Sequence, residues 1–207
     1  MSSDRILITC PPMLRMIDRF SDAFAAQGWQ VTSPEITQQM EPEMLARLLP
    51  EHDGWIIGDD PASSAVLEAG RAGRLRACVR WGIGTDNVDF EAAKRLQIPV
   101  INTPGMFGNE VADLALHYLT GLLRRTYEID RGVRAGHWTK FAGTSLAGLS
   151  VGLVGYGDIG RNFARRAAAA DMNLTVYDPG VAAEDIAPHK SALWPEGLAD
   201  VQALVLT

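Results

Sequence analysis

The stretch Val151-Gly-Leu-Val-Gly-Tyr-Gly-Asp-Ile-Gly160 decides the fold of this chain. It predicts a buried strand, a tight turn containing Gly155-x-Gly157-x-x-Gly160, and the start of an Ala- and Arg-rich helix. A second apolar run, Leu174-Thr-Val-Tyr177, predicts the next strand and ends directly before Asp178. The glycines alone could form a turn in any α/β protein. The order of strand, glycine turn, helix, strand and acid indicates a dinucleotide site.

Each residue type in this stretch suits one part of a dinucleotide. Gly155 permits the tight turn, Gly157 lets the backbone approach a pyrophosphate, and Gly160 lets the helix pack closely on the strand. The N–H groups at the helix start attract the phosphates. Asp178 can accept hydrogen bonds from both ribose hydroxyls of NAD. Its carboxylate would repel the 2′-phosphate of NADP, and no arginine follows in Pro179-Gly-Val-Ala182, so NAD is the predicted cofactor.

The composition is that of an ordinary globular protein, with 47% hydrophobic and 21% charged residues in a chain of 207. The net charge of −6 and the scattered basic residues argue against a nucleic-acid partner. No apolar run reaches membrane-spanning length, and the N-terminus lacks a signal-peptide pattern. Cys10 and Cys78 are isolated, so we predict no metal site and take a reducing cytoplasm as the default location.

Strand-like and helical patterns alternate over the first hundred residues. The strand-like runs are 5–9, 30–32, 54–58, 75–81 and 99–102. The helical patterns are the apolar face Leu14, Ile17, Phe20 and Phe24, then 42–49, 61–69 and 89–96, with Asp60 and Asp89 as candidate N-caps. This alternation predicts a first α/β domain over residues 1–103, in which helices cover both faces of a parallel sheet.

The remaining residues, 104–207, form the predicted dinucleotide-binding domain. It starts with a connecting helix, 108–135, that crosses between the domains. Strands at 151–154, 174–177 and 201–206 and a helix at 159–170 follow, with a short piece at 191–193. Because dinucleotide-binding sheets usually have six strands, we expect this domain to be incomplete at its C-terminal end.

Two further segments carry a resemblance to a known family. Arg80-Trp-Gly-Ile-Gly-Thr-Asp-Asn-Val-Asp89 is followed by Ile98-Pro-Val-Ile-Asn-Thr-Pro-Gly105 and Glu110-Val-Ala-Asp113. Together with the dinucleotide segment and its Tyr177-Asp-Pro179 ending, they resemble the D-isomer-specific 2-hydroxyacid dehydrogenases, and most of all the phosphoglycerate dehydrogenase branch. The resemblance extends from about residue 53 to the last residue.

The resemblance implies two Rossmann-like or flavodoxin-like parallel-sheet domains and an NAD-dependent oxidoreductase. Such an enzyme transfers a hydride between a D-2-hydroxy acid and the nicotinamide. By motif position, the backbone N–H groups of Ile83 and Gly84 would bind the substrate carboxylate, and Asn102 and Thr103 would line the substrate cleft. The implied cofactor-binding residues are Val111, Gly155, Tyr156, Gly157, Asp158, Ile159, Gly160, Asp178, Pro179 and Thr207.

The catalytic residues of the family are an arginine, a glutamate and a histidine, and the resemblance places all three beyond Thr207. We therefore predict no catalytic residue in this chain and no activity of the 207 residues alone. The histidines present are read as surface or packed residues: His52, His117, His137 and His189. The alternative function is a non-catalytic NAD-binding sensor or corepressor-like module. The substrate stays open among 3-phosphoglycerate, glyoxylate and hydroxypyruvate.

The resemblance also implies a homodimer. The apolar cluster Leu119, Leu122, Leu123 and Trp138 could form that interface or pack within one subunit.

Two positions depart from the family pattern. Gly58-Asp-Asp-Pro61 stands where many relatives carry a basic or hydroxyl residue. Asp59 and Asp60 are interpreted as helix-capping residues; if either faced the substrate cleft, it would disfavour a phosphorylated acid. Asp158 stands where relatives often have arginine, and we expect its side chain to point to solvent.

Overall fold

The computed structural model describes residues 3–207. The chain divides into two compact units, Met1–Met106 and Phe107–Thr207. Each unit contains one parallel sheet with helices, which confirms the predicted α/β class. The division lies just after the predicted domain boundary at residue 103.

The first unit contains a five-stranded sheet in the order β2-β1-β3-β4-β5. The strands are β1 (Arg5–Ile8), β2 (Gln30–Thr32), β3 (Gly54–Ile57), β4 (Ala77–Arg80) and β5 (Val100–Ile101). The helices are α1 (Pro11–Leu14), α2 (Ser21–Ala26), α3 (Pro42–Leu48), α4 (Ser64–Ala72) and α5 (Phe90–Arg95), with 3₁₀ turns at Ile17–Phe20 and Leu49–Glu51.

Alternate side chains of the strands fill two cores, one on each face of this sheet. Leu7 of β1 and Trp55 of β3 join the core that α3, α4 and α5 cover. Ile6 and Ile8 point to the opposite face, where Phe24 of α2 packs with them. This alternation follows from the two-residue repeat of a strand.

The apolar face Leu14, Ile17, Phe20 and Phe24 does pack on one core, but it does not form one helix. Met16 leaves the helical conformation, with φ of −124°, and a 3₁₀ turn follows before α2. The Ser21 hydroxyl donates to the carbonyl oxygen of Asp18 at 2.5 Å. This bond lies where the 3₁₀ turn meets α2, after the break at Met16.

The two candidate N-caps have different outcomes. Asp89 accepts a hydrogen bond from the N–H of Ala92 at 2.8 Å, so its capping role at α5 is confirmed. The cap assigned to Asp60 is wrong, because α4 begins only at Ser64. Asp60 is instead fully buried and accepts hydrogen bonds from the Thr9 hydroxyl (2.5 Å), Met40 N–H (2.8 Å) and Gly58 N–H (3.0 Å). It ties together the loops that follow β1 and β3.

The second unit contains a four-stranded parallel sheet in the order β8-β7-β6-β9. Its strands are β6 (Ser150–Val154), β7 (Asn173–Tyr177), β8 (Lys190–Ser191) and β9 (Ala203–Leu206). Its helices are α6 (Gly108–Arg124), α7 (Thr126–Arg134), α8 (Asp158–Ala169) and α9 (Ala183–Ile186), with a 3₁₀ turn at Leu198–Asp200. The strand order, with the first strand between the second and the fourth, is that of a dinucleotide-binding fold.

The predicted single helix over 108–135 is two helices. Arg125 adopts a left-handed conformation, with φ of 53°, and so ends α6. The turn lets the Tyr127 ring lie directly on Gly121, which has no side chain to obstruct it. The Arg125 guanidinium stabilises the turn by bonding to Glu128 and lying 3.6 Å from the centre of the Phe141 ring. These contacts explain a break that the apolar periodicity does not reveal.

Candidate dinucleotide and substrate sites

The glycine turn starts where β6 ends. Gly155 has φ of +93°, which L-residues with a side chain rarely adopt. Its N–H donates to the carbonyl oxygen of Tyr177 at 3.0 Å, and a Cβ in its place would overlap the carbonyl oxygen of Thr207. Gly155 therefore fits between the ends of β7 and β9, as the first glycine of the motif requires.

The start of α8 presents unpaired backbone donors. Gly157 is the N-cap, no side chain among residues 3–207 caps the helix, and the first backbone bond to the turn is from Arg161 N–H to the Gly157 carbonyl oxygen at 3.0 Å. The N–H groups of Asp158, Ile159 and Gly160 precede that bond and so lack helical acceptors. A Cβ built on Gly157 would meet no atom within 4 Å, so there is open space beside these donors. An anion can approach here.

Asp178 follows β7 directly and is held by two backbone donors. Its Oδ2 accepts from Tyr156 N–H at 2.6 Å, and its Oδ1 accepts from Gly180 N–H at 2.8 Å. The side chain is partly buried, next to the exposed Pro179. Each carboxylate oxygen has more than one lone pair, so each can accept a further bond from a hydroxyl. The structure thus brings the acid to the turn, as the dinucleotide motif requires.

The backbone N–H of Tyr156 is not available to bind a phosphate. Its N–H is occupied by Asp178, and its ring is only 7% exposed. The Arg161 guanidinium lies 4.7 Å from the ring centre, and the His189 ring packs edge-on at 6.4 Å. Burial lowers the pKa of His189, which favours its neutral form. Tyr156 therefore anchors the turn in the core; the sequence pattern did not identify its contact with Arg161.

Asp158 is exposed, as expected from the sequence, and its carboxylate also has neighbours within the second unit. The residue is exposed, but its carboxylate lies against Gly108 at the start of α6, where a Cβ would overlap it. Asn162 Nδ2 donates to its Oδ1 at 3.1 Å. The carboxylate thus lies between Asn162 of its own helix, which donates to it, and the start of α6, which is distant in sequence.

Thr207 and Val111 lie on different parts of the second unit. The Thr207 hydroxyl contacts the carbonyl oxygens of Gly155 (3.1 Å) and Val154 (3.3 Å), so it lies beside the turn. Val111 is 39% exposed and lines an open apolar groove between α6 and β9, together with Leu204.

In the first unit, the loop after β4 is tied to the loop after β5. Gly82 N–H donates to the Thr103 hydroxyl at 2.9 Å, and Thr103 N–H donates back to Gly82 at 3.1 Å. Asn102 Nδ2 donates to the carbonyl oxygen of Ile83 at 3.0 Å. Within residues 3–207 the N–H groups of Ile83 and Gly84 have no acceptor, so they are available to an anion.

Arg80 supports this loop from inside the first unit and was not among the predicted site residues. Its side chain is 12% exposed and donates to Asp59 Oδ1 at 3.0 Å and Asn87 Oδ1 at 3.2 Å. The guanidinium fills the space where Gly82 would carry a Cβ. The sequence signal that could have identified Arg80 is a basic residue at the end of a strand, two positions before a glycine. Asp59 is thus an ion-pair partner of Arg80 and not a helix cap.

Other kinds of site are not supported in the part of the chain that the structure describes. It contains no cluster of three or more His, Cys, Asp or Glu side chains suited to a metal ion. None of its helices combines the length and apolar character that a membrane span requires. Cys10 and Cys78 are buried free thiols, and burial raises the pKa of Cys78 to about 12.

Comparison with known proteins gives consistent matches. The family model for the D-isomer specific 2-hydroxyacid dehydrogenase catalytic domain matches residues 7–193. The hydroxypyruvate reductase of Thermotoga maritima is 35% identical over 156 residues, 73% of this chain and 50% of that protein. The D-3-phosphoglycerate dehydrogenase of Archaeoglobus fulgidus is 33% identical over 153 residues, 72% of this chain and 29% of that protein.

A solved structure shares the fold. The NAD⁺-bound 3-phosphoglycerate dehydrogenase of Entamoeba histolytica aligns with 100% of this chain and 63% of its own, with a TM-score of 0.78 and 24% identity. This chain spans half or less of the length of the two curated relatives above. The family match nevertheless covers most of its residues. The chain belongs to the D-isomer specific 2-hydroxyacid dehydrogenase family.

Proposed function

We propose that this chain holds the NAD of an oxidoreductase that transfers a hydride between a D-2-hydroxy acid and the nicotinamide. One observation carries the proposal: free N–H groups at the start of α8 lie beside a carboxylate at the end of β7, in a chain of this family. That combination matches the phosphate and ribose ends of a dinucleotide. The NAD⁺-bound relative supports the choice of cofactor.

The residues of the second unit fit this cofactor. Asp158, Ile159 and Gly160 would bind the diphosphate through their N–H groups, with Gly157 leaving room for it. Asp178, followed by Pro179, would accept the ribose hydroxyls. The remaining proposed contacts are Gly155 and Tyr156, which shape the turn, Thr207 beside it, and Val111 toward the nicotinamide. When bound, the nicotinamide supplies the hydride acceptor or donor.

The residues of the first unit fit a carboxylate. Ile83 and Gly84 offer two N–H groups without acceptors, and the bond from Asn102 to the Ile83 carbonyl holds this loop in place. We propose that they bind the carboxylate of a 2-hydroxy or 2-keto acid. Hydroxypyruvate, 3-phosphoglycerate and glyoxylate are the candidates that the names of the relatives support.

An alternative is a module that binds NAD without turning over a substrate. The observation that favours it is the state of the histidines among the described residues. Both ring nitrogens of His52 are occupied, by Leu48 and Thr32, and the rings of His117 and His189 pack against tyrosines. In residues 3–207 no histidine bonds to a carboxylate that could orient it as a general base. We therefore propose that the 207 residues alone bind NAD but are catalytically inactive.

Two further proposals concern the oligomeric state of the protein and its cellular compartment. We propose a homodimer in which α6 and the segment after α7 contribute apolar side chains, since Leu122 is 71% and Trp138 81% exposed. Leu119, of the same predicted cluster, is only 7% exposed and packs within the second unit. We also propose a reducing compartment such as the cytoplasm, because two free thiols are retained in the cores.

The substitution Asp178→Asn tests the cofactor assignment. It removes the charge that would repel a 2′-phosphate and weakens the bonds to the ribose hydroxyls. We expect NADH to bind about tenfold more weakly, since charged hydrogen bonds contribute roughly 1.5–3 kcal/mol. NADPH binding should improve relative to NADH.

The matched control is Asp171→Asn, the same chemical change beyond the opposite end of α8. Asp171 has φ of 56°, a conformation that asparagine tolerates, and it should leave both affinities unchanged. Fluorescence titration measures the affinity for NADH and for NADPH of the unmodified chain and of the two variants. An unaltered preference between the two cofactors in Asp178→Asn would refute the assigned role of this carboxylate.

A further inference from the structure

Asp158 carries a negative charge close to the proposed diphosphate site. Asp158 is the first residue of α8, so its carboxylate belongs to the helix end that would receive a diphosphate. A like charge within a few ångströms of the phosphates would oppose their binding. Yet the carboxylate lies against the Cα of Gly108, at the first residue of α6.

Polar contacts between α6 and α8 keep this arrangement in place. Asn162 Nδ2 donates to Asp158 Oδ1 at 3.1 Å, and Arg165 links Asn162 to Asn109 with bonds of 3.0 and 2.9 Å. Farther along the two helices, Arg166 Nε donates to Asp113 Oδ1 at 2.6 Å. The starts of α6 and α8 are thereby held at a fixed separation.

The start of α6 is a favourable place for a negative charge. This helix has 17 residues, its N-cap is Phe107, and among the described residues no side chain caps it. The positive end of the helix dipole stabilises a carboxylate placed there. The charge of Asp158 is thus offset by α6, while the first-turn N–H groups of α8 stay open.

We propose that Gly108 is a positioning residue of the dinucleotide site. The absence of a side chain at Gly108 provides the space in which the Asp158 carboxylate is held at the start of α6, away from the diphosphate. A methyl group at residue 108 would overlap both carboxylate oxygens and displace a flexible side chain toward the N–H groups of α8. This inference rests on the proposed NAD-binding function.

A double-mutant cycle tests the pair, with ADP-ribose as the probe because it carries the diphosphate without the nicotinamide. Gly108→Ala should bind ADP-ribose about tenfold more weakly than the unmodified chain. Asp158→Asn, which keeps the backbone N–H proposed to bind the diphosphate, is the reference for the double variant. Gly108→Ala combined with Asp158→Asn should bind within threefold of Asp158→Asn, because the displaced group is then neutral. Such non-additivity is the signature of coupled residues.

Two controls separate charge from fold. Asp171→Asn removes the same charge beyond the opposite end of α8, away from the turn, and should leave ADP-ribose affinity within twofold. Melting of the ligand-free proteins shows whether Gly108→Ala is folded. If it is not, Asp158→Glu replaces it: the longer side chain carries its carboxylate past Gly108 and should also weaken binding.

The possible outcomes distinguish a failure of this inference from a failure of the proposed NAD-binding function on which it rests. No ADP-ribose binding by the unmodified chain would overturn the proposed function. Normal binding by folded Gly108→Ala would overturn the inference alone. So would equally weak binding by Gly108→Ala with and without Asp158→Asn, since the carboxylate would then not be the cause.

Discussion

Gly157 and Gly160 belong to one motif but meet different surroundings. A Cβ on Gly157 would meet nothing within 4 Å, whereas a Cβ on Gly160 would overlap the carbonyl oxygen of Gly155 and lie 3.0 Å from the Thr207 hydroxyl. Gly160 is therefore required by the fold, whereas the proposed function requires Gly157 for the ligand. Alanine at the two positions should separate these requirements.

We expect Gly157→Ala to melt within a few degrees of the unmodified chain but to lose ADP-ribose binding, because its methyl group fills the space for the diphosphate. Gly160→Ala should destabilise the second unit by about 1–3 kcal/mol, since the backbone must shift. Thermal melting and calorimetric titration give both quantities. Equal melting points for the two variants would contradict this division of roles.

At the residue level, the sequence predicted those residues whose structural role depends only on nearby residues of a short motif. The three glycines, Asp178 and the N-cap Asp89 are of this kind. Asp60 was misassigned because its partners, Thr9 and Met40, come from distant segments that only the fold brings together. The contact of Asp158 with Gly108 was not predicted for the same reason, since it depends on how α6 packs on α8.

At the level of elements, periodicity predicted which segments are helices and strands, but not where helices break. α6 ends at Arg125, where contacts with Glu128 and Phe141 stabilise the turn, and the first apolar face breaks at Met16. Neither break alters the apolar repeat. The break after α6 also leaves Leu122 exposed near the end of that helix.

The exposed Leu122 provides a test of the proposed dimer. Leu122→Glu places a charge in an apolar interface, and an unpaired buried charge is strongly unfavourable. We expect the unmodified chain to sediment as a dimer and Leu122→Glu as a folded monomer. Glu91→Gln, an exposed change on α5 in the first unit, is the control and should leave the dimer intact. A dimer that persists in Leu122→Glu would rule out this surface.

For the whole molecule, alternating strand and helix patterns together with the family resemblance indicated two parallel-sheet units, which the structure confirms. The assignment of the first unit to the substrate and the second to NAD stays a prediction. It has a consequence for activity. Each unit offers backbone donors to an anion, yet in residues 3–207 no histidine is oriented by a carboxylate.

We therefore expect the 207-residue chain to bind NADH without oxidising it in the presence of glyoxylate or hydroxypyruvate. Absorbance at the NADH band follows turnover, and fluorescence titration of the same sample shows that the cofactor is bound. A hydroxyacid dehydrogenase of known activity, assayed with the same acids, is the positive control. Turnover that survives purification to homogeneity would show that this chain contains a proton-donating group that we have not identified.

The most direct test of the central claim is a crystal structure of the chain with NADH. The proposed function predicts the diphosphate on the N–H groups of Asp158 and Ile159, and both hydroxyls of the adenosine ribose on Asp178. It also predicts the Asp158 carboxylate still resting against Gly108. A dinucleotide bound elsewhere, or one in this turn whose ribose does not contact Asp178, would contradict the account.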